Sequence, residues 1–261
     1  MFLIVNTIFQ IISVFIDVSP IMNFYGVNEE SSVWQRSYNL NRYIGFFSQP
    51  FEAGLAYSIG LLIILKKEIL YKNNFLLKLF ITVGGLITYS KFFFVTLFLA
   101  ILGYFFKNDL KKVFIVSFVL ICSIIILNID LIYDIFNLIL FTRFQDGTVI
   151  YGLSYIYENY FFFGQGLIPT VNGEPLDSAY LQIFAVSGIF GIIFYLILLF
   201  KSSILVSNSN SQKFINSIFL IIIFFGSLGG PIFTANKANI FVITYIILYN
   251  KLSQEITNNK D

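Results

Sequence analysis

The chain has 261 residues, of which 57% are hydrophobic and only 11% are charged, and its mean hydropathy is +0.83. Soluble domains carry about 25% charged residues, so this composition predicts an integral membrane protein. A net charge of +2 without a dense basic cluster gives no basis for nucleic acid as a partner. The chain has no His and one Cys, so we expect no disulfide within the chain, no metal site and no other cofactor.

Apolar stretches along the chain predict membrane helices, each of which needs about 17–25 residues. They cover residues 1–18, 48–65, the two halves of 75–106, 113–128, 179–200, 214–228 and 238–249. We therefore expect an all-α fold in which residues 1–261 form a single membrane domain, a polytopic bundle of about eight spans. A small external loop is expected at 19–48 and a large one at 129–178, where residues 132–141 predict a short amphipathic helix.

The first stretch carries a polar face. Asn6, Gln10, Ser13 and Asp17 are spaced three or four residues apart, so they lie on one side of a helix. Because polar side chains avoid lipid, this face is expected to point into the bundle. The stretch lacks a charged n-region and a small-residue cleavage site, which argues against a removable signal peptide.

Two predicted helix starts carry charged residues. Pro50 suits the first turn of the second helix, and Glu52 lies near its positive end. Residues 75–106 are about twice too long for one span at 1.5 Å per residue, so we divide them at 89–90. This division puts Lys91 at the start of a helix.

The distribution of basic residues predicts the orientation. With the N-terminus inside, eleven Lys lie in inner segments and five basic residues lie in outer ones, as the positive-inside rule expects. The outer residues are Arg36, Arg42, Lys91, Arg143 and Lys237. Treating 75–106 as one helix would break this pattern, which supports its division. Both termini are therefore predicted to be cytoplasmic.

Outer cations are candidates for binding an anionic substrate. Lys91 opposes both the positive-inside rule and the dipole of its own helix, which indicates an anionic partner. Every Arg of the chain is on the outer side, and the Arg fork suits phosphate. The plainer interpretations are that Arg42 and Lys91 extend to lipid headgroups and that Arg143 pairs with an acid of its own loop.

Three carboxylates are candidates for a general base. Glu52 lies inside an apolar helix, where an acid indicates function by default, although it could equally pair with Arg42. Glu174 and Asp177 precede the sixth helix, and Asp177 could instead be the N-cap of that helix.

Glycines mark two positions of close backbone approach. Gly164 and Gly166, in FFFGQG, predict a turn with positive φ or a close approach of the backbone. Gly188 and Gly191, in SGIFG, predict close packing of the sixth helix on a neighbour.

The motifs occur in a characteristic order: RYIGFFSQPFEAG, TYSK opening a helix, TRF, YENYFFFGQG and DSAYLQIFAVSGIFG. This order resembles the O-antigen polymerase/ligase superfamily, and within it the Wzy-type polymerases of bacterial surface polysaccharides. Arg42, Gly45 and Pro50 match a family pattern of Arg-x-x-Gly followed by Pro. Thr88, Ser90 and Lys91 match Thr-x-Ser-Arg with Lys in place of Arg. The remaining matches are Arg143, Gly164, Gly166, Tyr180, Leu181, Gly188 and Gly191.

The resemblance implies a metal-independent glycosyltransferase of the cytoplasmic (inner) membrane. Such an enzyme joins oligosaccharide repeat units carried on polyprenyl diphosphate into O-antigen or capsule at the outer face. The implied diphosphate-binding residues are Arg42, Lys91, Arg143 and Lys237, and the implied base is Asp177, Glu174 or Glu52. The implied partners are the lipid-linked oligosaccharides, the bilayer, and chain-length regulator and flippase proteins.

The chain departs from the family pattern in two respects. Members usually have about ten to twelve helices and the missing ones are N-terminal, so we expect a shortened or partial gene product. The ligase branch has a His in its large external loop, and the absence of His favours a polymerase over a ligase-like transferase. Two rival functions are a transporter, against which the lack of a visible inverted repeat argues, and a non-enzymatic partner of the polysaccharide machinery.

Overall fold

The computed structural model describes residues 1–18, 21, 37–47, 49–70, 75–106, 109–127, 157–158, 161–166, 170–171, 174–175, 179–204, 210–229, 242–243 and 245–246. The helices are α1 (Phe2–Phe15), α2 (Pro50–Leu70), α3 (Phe75–Ile87), α4 (Lys91–Phe105), α5 (Leu110–Leu127), α6 (Ala179–Ile204) and α7 (Asn210–Gly229). Strands β1 (Thr170–Val171) and β2 (Glu174–Pro175) form an antiparallel pair within the predicted large loop.

The helical fold predicted from the sequence is confirmed over these residues. The first seven apolar stretches each coincide with a helix, and α2 begins at Pro50 as expected. The division of 75–106 falls at the predicted place, where Tyr89 has φ +47° between α3 and α4. The stretch 238–249 lies mostly outside the described residues, as does the predicted amphipathic helix at 132–141.

Helix length separates α6 from the others. Within the described part of the chain, the segment Ala179–Leu199 is long and apolar enough to cross a membrane. The apolar parts of α1 to α4, such as Phe2–Phe15 and Pro50–Leu65, and that of α7 are 10–17 residues long. These lengths reach at most the short end of the range that a crossing needs.

Contacts within the chain divide it into two compact units. The first unit comprises Met1–Ile101, Ser202–Gly226 and Ile232–Asp261. The second unit comprises Leu102–Lys201 and Ser227–Pro231. Arg42, Glu52 and Lys91 therefore belong to the first unit.

In the first unit, α1, α2 and α3 pack side by side and α4 begins beside them. Leu3 lies against Gly60, while Thr7 reaches Tyr57, so α1 runs antiparallel to α2. Gly54 lies against Ser90, and the rings of Tyr57 and Phe93 are 6.4 Å apart. The start of α4 therefore runs parallel to α2.

Because helices that are consecutive along the chain alternate in direction from α1 to α4, one end of the first unit collects four helix ends. There α1 and α3 end while α2 and α4 begin. We call this the Lys91 end. The positive ends of α2 and α4 and the negative ends of α1 and α3 offset one another there, so the side chains determine the local charge.

In the second unit, α6 is broken near its middle. Gly188 has φ +62° and ψ −160°, which is far from helical and is open essentially to glycine alone. The sequence predicts that Gly188 permits close packing on a neighbour, and it does so, but the neighbour is the backbone of Phe162. Residues 161–166 run along this break.

Candidate functional site

Arg42 is exposed at the start of a short segment that is packed into the first unit. Its backbone N–H donates to the carbonyl of Ser37 at 2.8 Å. The residues that follow pack into the core of the first unit, where Ile44 and Phe47 are almost fully buried. The apolar half of RYIGFF therefore anchors the segment and leaves the Arg42 side chain outside the core.

Two side chains of α1 hold the backbone of this segment. Gln10 Nε2 donates to the Tyr43 carbonyl at 2.7 Å, and the Phe46 N–H donates to Asn6 Oδ1 at 2.7 Å. Between them, Gly45 has φ +66° and lies directly on the Asn6 amide, where a Cβ would not fit. The Gly of Arg-x-x-Gly is thus required by both backbone conformation and contact.

The same polar residues converge on the hydroxyl of Tyr57. Asn6 Nδ2 donates to this oxygen at 3.0 Å, Thr7 Oγ1 lies 2.9 Å from it, and Gln10 Oε1 lies 2.8 Å from it. Asn6, Thr7, Gln10 and Tyr57 are all fully buried. We call these four residues the buried polar network, and it fixes α1 to α2 and to the segment that carries Arg42.

The polar face predicted for the first helix is confirmed in part. Asn6, Gln10 and Ser13 are buried as expected. Asp17 is not on that face, because α1 ends at Phe15 and Ile16 is extended, which leaves Asp17 exposed. Burial raises the pKa of Tyr38, and the negative charge of the Asp17 carboxylate raises it further. Asp17 therefore lies near the segment that leads to Arg42.

Lys91 is the first residue of α4, as predicted, and its side chain is exposed. Ser90 just before it is buried against Gly54 of α2. The rings of Phe51 and Phe92 meet edge to face at 5.1 Å, which seats the start of α4 on the start of α2. These contacts fix where the lysine leaves the helix.

Arg42 and Lys91 lie at the same end of the first unit. Gln10, on the half of α1 nearest the Lys91 end, holds the residue next to Arg42. Gly54, in the second turn of α2, holds the residue next to Lys91. Within the part of the chain that the structure describes, neither cation forms an ion pair with a carboxylate, so the pairing of Arg42 with Glu52 is not formed.

Glu52 is buried in the first turn of α2, also at the Lys91 end. It is thus the candidate base that the structure places near the two cations. Glu174 is in strand β2 of the second unit. Asp177, Arg143 and Lys237 lie outside the described residues. Clusters of acidic, His or Cys side chains able to hold a metal ion are absent from the described residues.

Gly164 and Gly166 adopt the positive φ values that the sequence predicts, +69° and +101°. A Cβ on Gly164 would meet the backbone of Val186 and Ser187, whereas the space around Gly166 is open. The first glycine is therefore needed for close approach as well as for conformation, and the second for conformation alone.

The sequence did not single out Thr7 and Tyr57. Tyr57 sits in an apolar helix, where an aromatic residue with one hydroxyl is ordinary. One signal could have found it: a tyrosine deep in an apolar stretch needs a hydrogen-bond partner, and the polar face of the first helix offers several.

Comparison of the chain with protein-family models, with curated proteins and with solved structures finds no match. The residues and the geometry of the first unit are therefore the basis for assigning a function.

Proposed function

We propose that this protein is a multi-pass glycosyltransferase of the cytoplasmic membrane, with both termini in the cytoplasm. It would polymerise oligosaccharide repeat units carried on polyprenyl diphosphate at the outer face of that membrane. The observation that carries the proposal is the placement of Arg42 and Lys91. Both are exposed at one end of the first unit, on backbone held by buried contacts, and neither is paired with a described carboxylate.

Two fixed cations suit a diphosphate for a physical reason. A guanidinium binds phosphate oxygens in a bidentate manner, and an ammonium adds a compact charge. Their backbone is held before any ligand binds, so little entropy is lost on binding. The order of motifs from Arg42 to Gly191, which resembles the polymerase family, supports the same substrate class.

The proposed reaction transfers a glycan from its polyprenyl diphosphate carrier to a hydroxyl group of an acceptor sugar. An acceptor hydroxyl attacks the anomeric carbon of the donor, a new glycosidic C–O bond forms, and the bond between that carbon and the diphosphate oxygen breaks. Polyprenyl diphosphate leaves with the bonding electrons. Arg42 and Lys91 stabilise the negative charge that develops on it, with Arg143 and Lys237 as further proposed contacts.

The proton of the acceptor hydroxyl goes to a carboxylate in this proposal. Glu52 is the first candidate because it is buried in the first turn of α2, at the same end as the two cations. Glu174 and Asp177 are the others. If Glu52→Gln, Glu174→Gln and Asp177→Asn each still produce full-length polymer, none of these three carboxylates takes this proton.

The decisive test is a polymer ladder made by the purified protein from lipid-linked repeat units. We expect Arg42→Gln and Lys91→Gln each to slow polymerisation by about 10²–10³-fold, the usual effect of removing one group that stabilises developing charge. Arg42→Lys should recover part of the rate, and Lys91→Arg should retain most of it, because Arg keeps the charge and adds the fork.

Lys112→Gln is the matched control, because Lys112 pairs with Asp109 at 3.5 Å on the predicted inner side. It should leave the ladder unchanged. A wild-type protein that makes no polymer but moves the lipid-linked substrate across vesicles would instead be a transporter. A wild-type protein that neither makes polymer nor moves the lipid-linked substrate would be a non-enzymatic partner.

A further inference from the structure

The break in α6 removes specific hydrogen bonds. In an unbroken α-helix, the N–H groups of Ile189 and Phe190 would donate to the carbonyls of Ala185 and Val186. The backbone of Gly188 turns away from the helical path and prevents this. Four backbone groups near the middle of the helix therefore need other partners.

Residues 161–166 supply all four partners. Gln165 N–H donates to the Ala185 carbonyl at 2.7 Å and Gly166 N–H to the Val186 carbonyl at 3.1 Å. In the other direction, Ile189 N–H donates to the Phe161 carbonyl at 2.9 Å. The Phe190 N–H and the Phe162 carbonyl are 3.5 Å apart, which is a long bond. The segment 161–166 thus replaces the missing helical bonds and runs antiparallel to α6 alongside the break.

Glycines make this arrangement sterically possible from both sides. Gly188 lies on the backbone of Phe162, and Gly164 lies on the backbone of Val186 and Ser187. In both places a Cβ would overlap main-chain atoms, which cannot rotate away. The two chains therefore touch through their backbones.

The position of the break along α6 sets its depth. Gly188 lies near the centre of Ala179–Leu199, the segment that is long and apolar enough to cross a membrane. At about 1.5 Å per residue it lies about 14 Å from Ala179, which is close to the middle of a hydrocarbon layer about 30 Å thick. Irregular backbone is tolerated at that depth only where its polar groups are satisfied within the protein.

The aromatic side chains beside the break have the exposure that lipid contact predicts. Phe162, Phe163 and Phe190 are 57%, 78% and 52% exposed. The ring of Phe190 lies 6.0 Å from that of Phe162 and 5.5 Å from that of Phe163. Such a group of exposed rings is unfavourable in water and favourable against acyl chains.

We propose that residues 161–166 form a re-entrant segment that enters the hydrocarbon layer and lies at mid-depth against the broken α6. Phe162 and Phe163 contact lipid acyl chains there. This revises the expectation that residues 129–178 are wholly external, and it does not depend on the proposed enzymatic function.

Tryptophan fluorescence can test this depth, because the chain has a single Trp, Trp34, in the predicted small outer loop. In a Trp34→Phe background, Phe163→Trp places one indole on the segment at a strongly exposed position, where the larger ring has room. The full chain is reconstituted into vesicles whose acyl chains carry bromine at either a shallow or a deep carbon. We expect blue-shifted emission, stronger quenching by deep than by shallow bromine, and little quenching by aqueous iodide.

Two matched variants calibrate the measurement. Phe194→Trp, which is also exposed and lies about 9 Å along the helix from the break, should be quenched by both bromines, with a larger share from the shallow one than Phe163→Trp shows. Leu40→Trp, exposed in the segment before Arg42, should respond to iodide. The proposal is overturned if Phe163→Trp behaves like Leu40→Trp or is quenched most by shallow bromine. If Phe163→Trp does not fold, Phe162→Trp gives the same readout from the neighbouring ring.

Discussion

Gly164, Gly166 and Gly188 are needed for different reasons, and alanine substitutions separate the effect of positive φ from that of close backbone contact. Gly188→Ala and Gly164→Ala combine a positive φ with a Cβ that overlaps backbone, whereas Gly166→Ala has only the positive φ. We expect Gly166→Ala to cost about 1–3 kcal/mol, the usual cost of such strain. The other two should cost clearly more, because main-chain atoms must move as well.

The thermal unfolding midpoint of the detergent-solubilised protein measures this order. Gly166→Ala is itself the control for conformational strain without overlap. Equal destabilisation by all three substitutions would contradict the close backbone contact at the break in α6.

The hydroxyl of Tyr57 is the centre of the buried polar network. Tyr57→Phe keeps the ring and removes the oxygen that Asn6, Thr7 and Gln10 share. The amide groups left behind are buried, so we expect a loss of about 1–3 kcal/mol in the free energy of unfolding. Tyr104→Phe, at a position 83% exposed, is the matched control and should be neutral. The unfolding midpoints of the two variants should differ accordingly, and equal midpoints would contradict a structural role of the network.

At the residue scale, spacing along the sequence predicted that Asn6, Gln10 and Ser13 are buried. It missed the buried Thr7, and it did not predict what these side chains bind. Asn6 and Gln10 follow helical periodicity, which is a local property. The Tyr57 hydroxyl, the Tyr43 carbonyl and the Phe46 N–H come from other parts of the chain. Their meeting depends on the register between helices, and that is a tertiary property.

At the element scale, the junction of α3 and α4 depends on Tyr89, which has φ +47° and is largely exposed. A tyrosine can adopt this positive φ at an energetic cost, whereas a glycine adopts it without that cost. A β-branched residue is strongly disfavoured there. We expect Tyr89→Gly to be neutral or slightly stabilising and Tyr89→Val to be clearly destabilising, because β-branched residues adopt positive φ least readily.

Tyr104→Val provides the comparison for this pair, since Tyr104 is exposed within the regular helix α4. There the same replacement should cost only a few tenths of a kcal/mol. Circular dichroism melting curves of the wild type and of the variants Tyr89→Gly, Tyr89→Val and Tyr104→Val give the comparison. If Tyr89→Val and Tyr104→Val lose similar amounts of stability, the positive φ at position 89 is not what restricts the choice of residue there.

The two interruptions in the helices were not equally visible in the sequence. The junction at Tyr89 was predicted because 75–106 is too long for one span and because the charges require a turn. The break at Gly188 was missed because SGIFG inside an apolar run suggests packing on another helix. Its lost bonds are replaced by residues 161–166, which lie too far away in sequence for a local pattern to reveal.

At the scale of the whole molecule, the charge distribution predicts topology independently of helix lengths. Alkaline phosphatase is active only outside the cytoplasm, so fusions report the side of each segment. We expect fusions after Asp109 to be inactive and fusions after Tyr151 to be active. Fusions after Lys72 and after Lys201 should also be inactive. Activity after Asp109 would contradict the prediction that α3 and α4 each cross the membrane.

The order of helices followed from the apolar stretches of the sequence and is confirmed over the described residues. Of the spans that composition predicts, the described part of the chain contains one segment long and apolar enough to cross a membrane, Ala179–Leu199. The structure describes only part of the candidate site. The sequence pointed to Arg42, Lys91 and Glu52, and the structure places all three at the Lys91 end of the first unit. Arg143, Asp177 and Lys237 lie outside the described residues. The functional roles of all the candidate residues stay predictions.

The partner of the broken helix is made before the helix itself. Residues 161–166 leave the ribosome ahead of Ala179, so their carbonyl and N–H groups are available before the kinked helix forms. A protein expressed as two fragments divided at 167–178 would separate these two pieces. A division at 205–209 would keep them on one fragment, and that pair should assemble more readily.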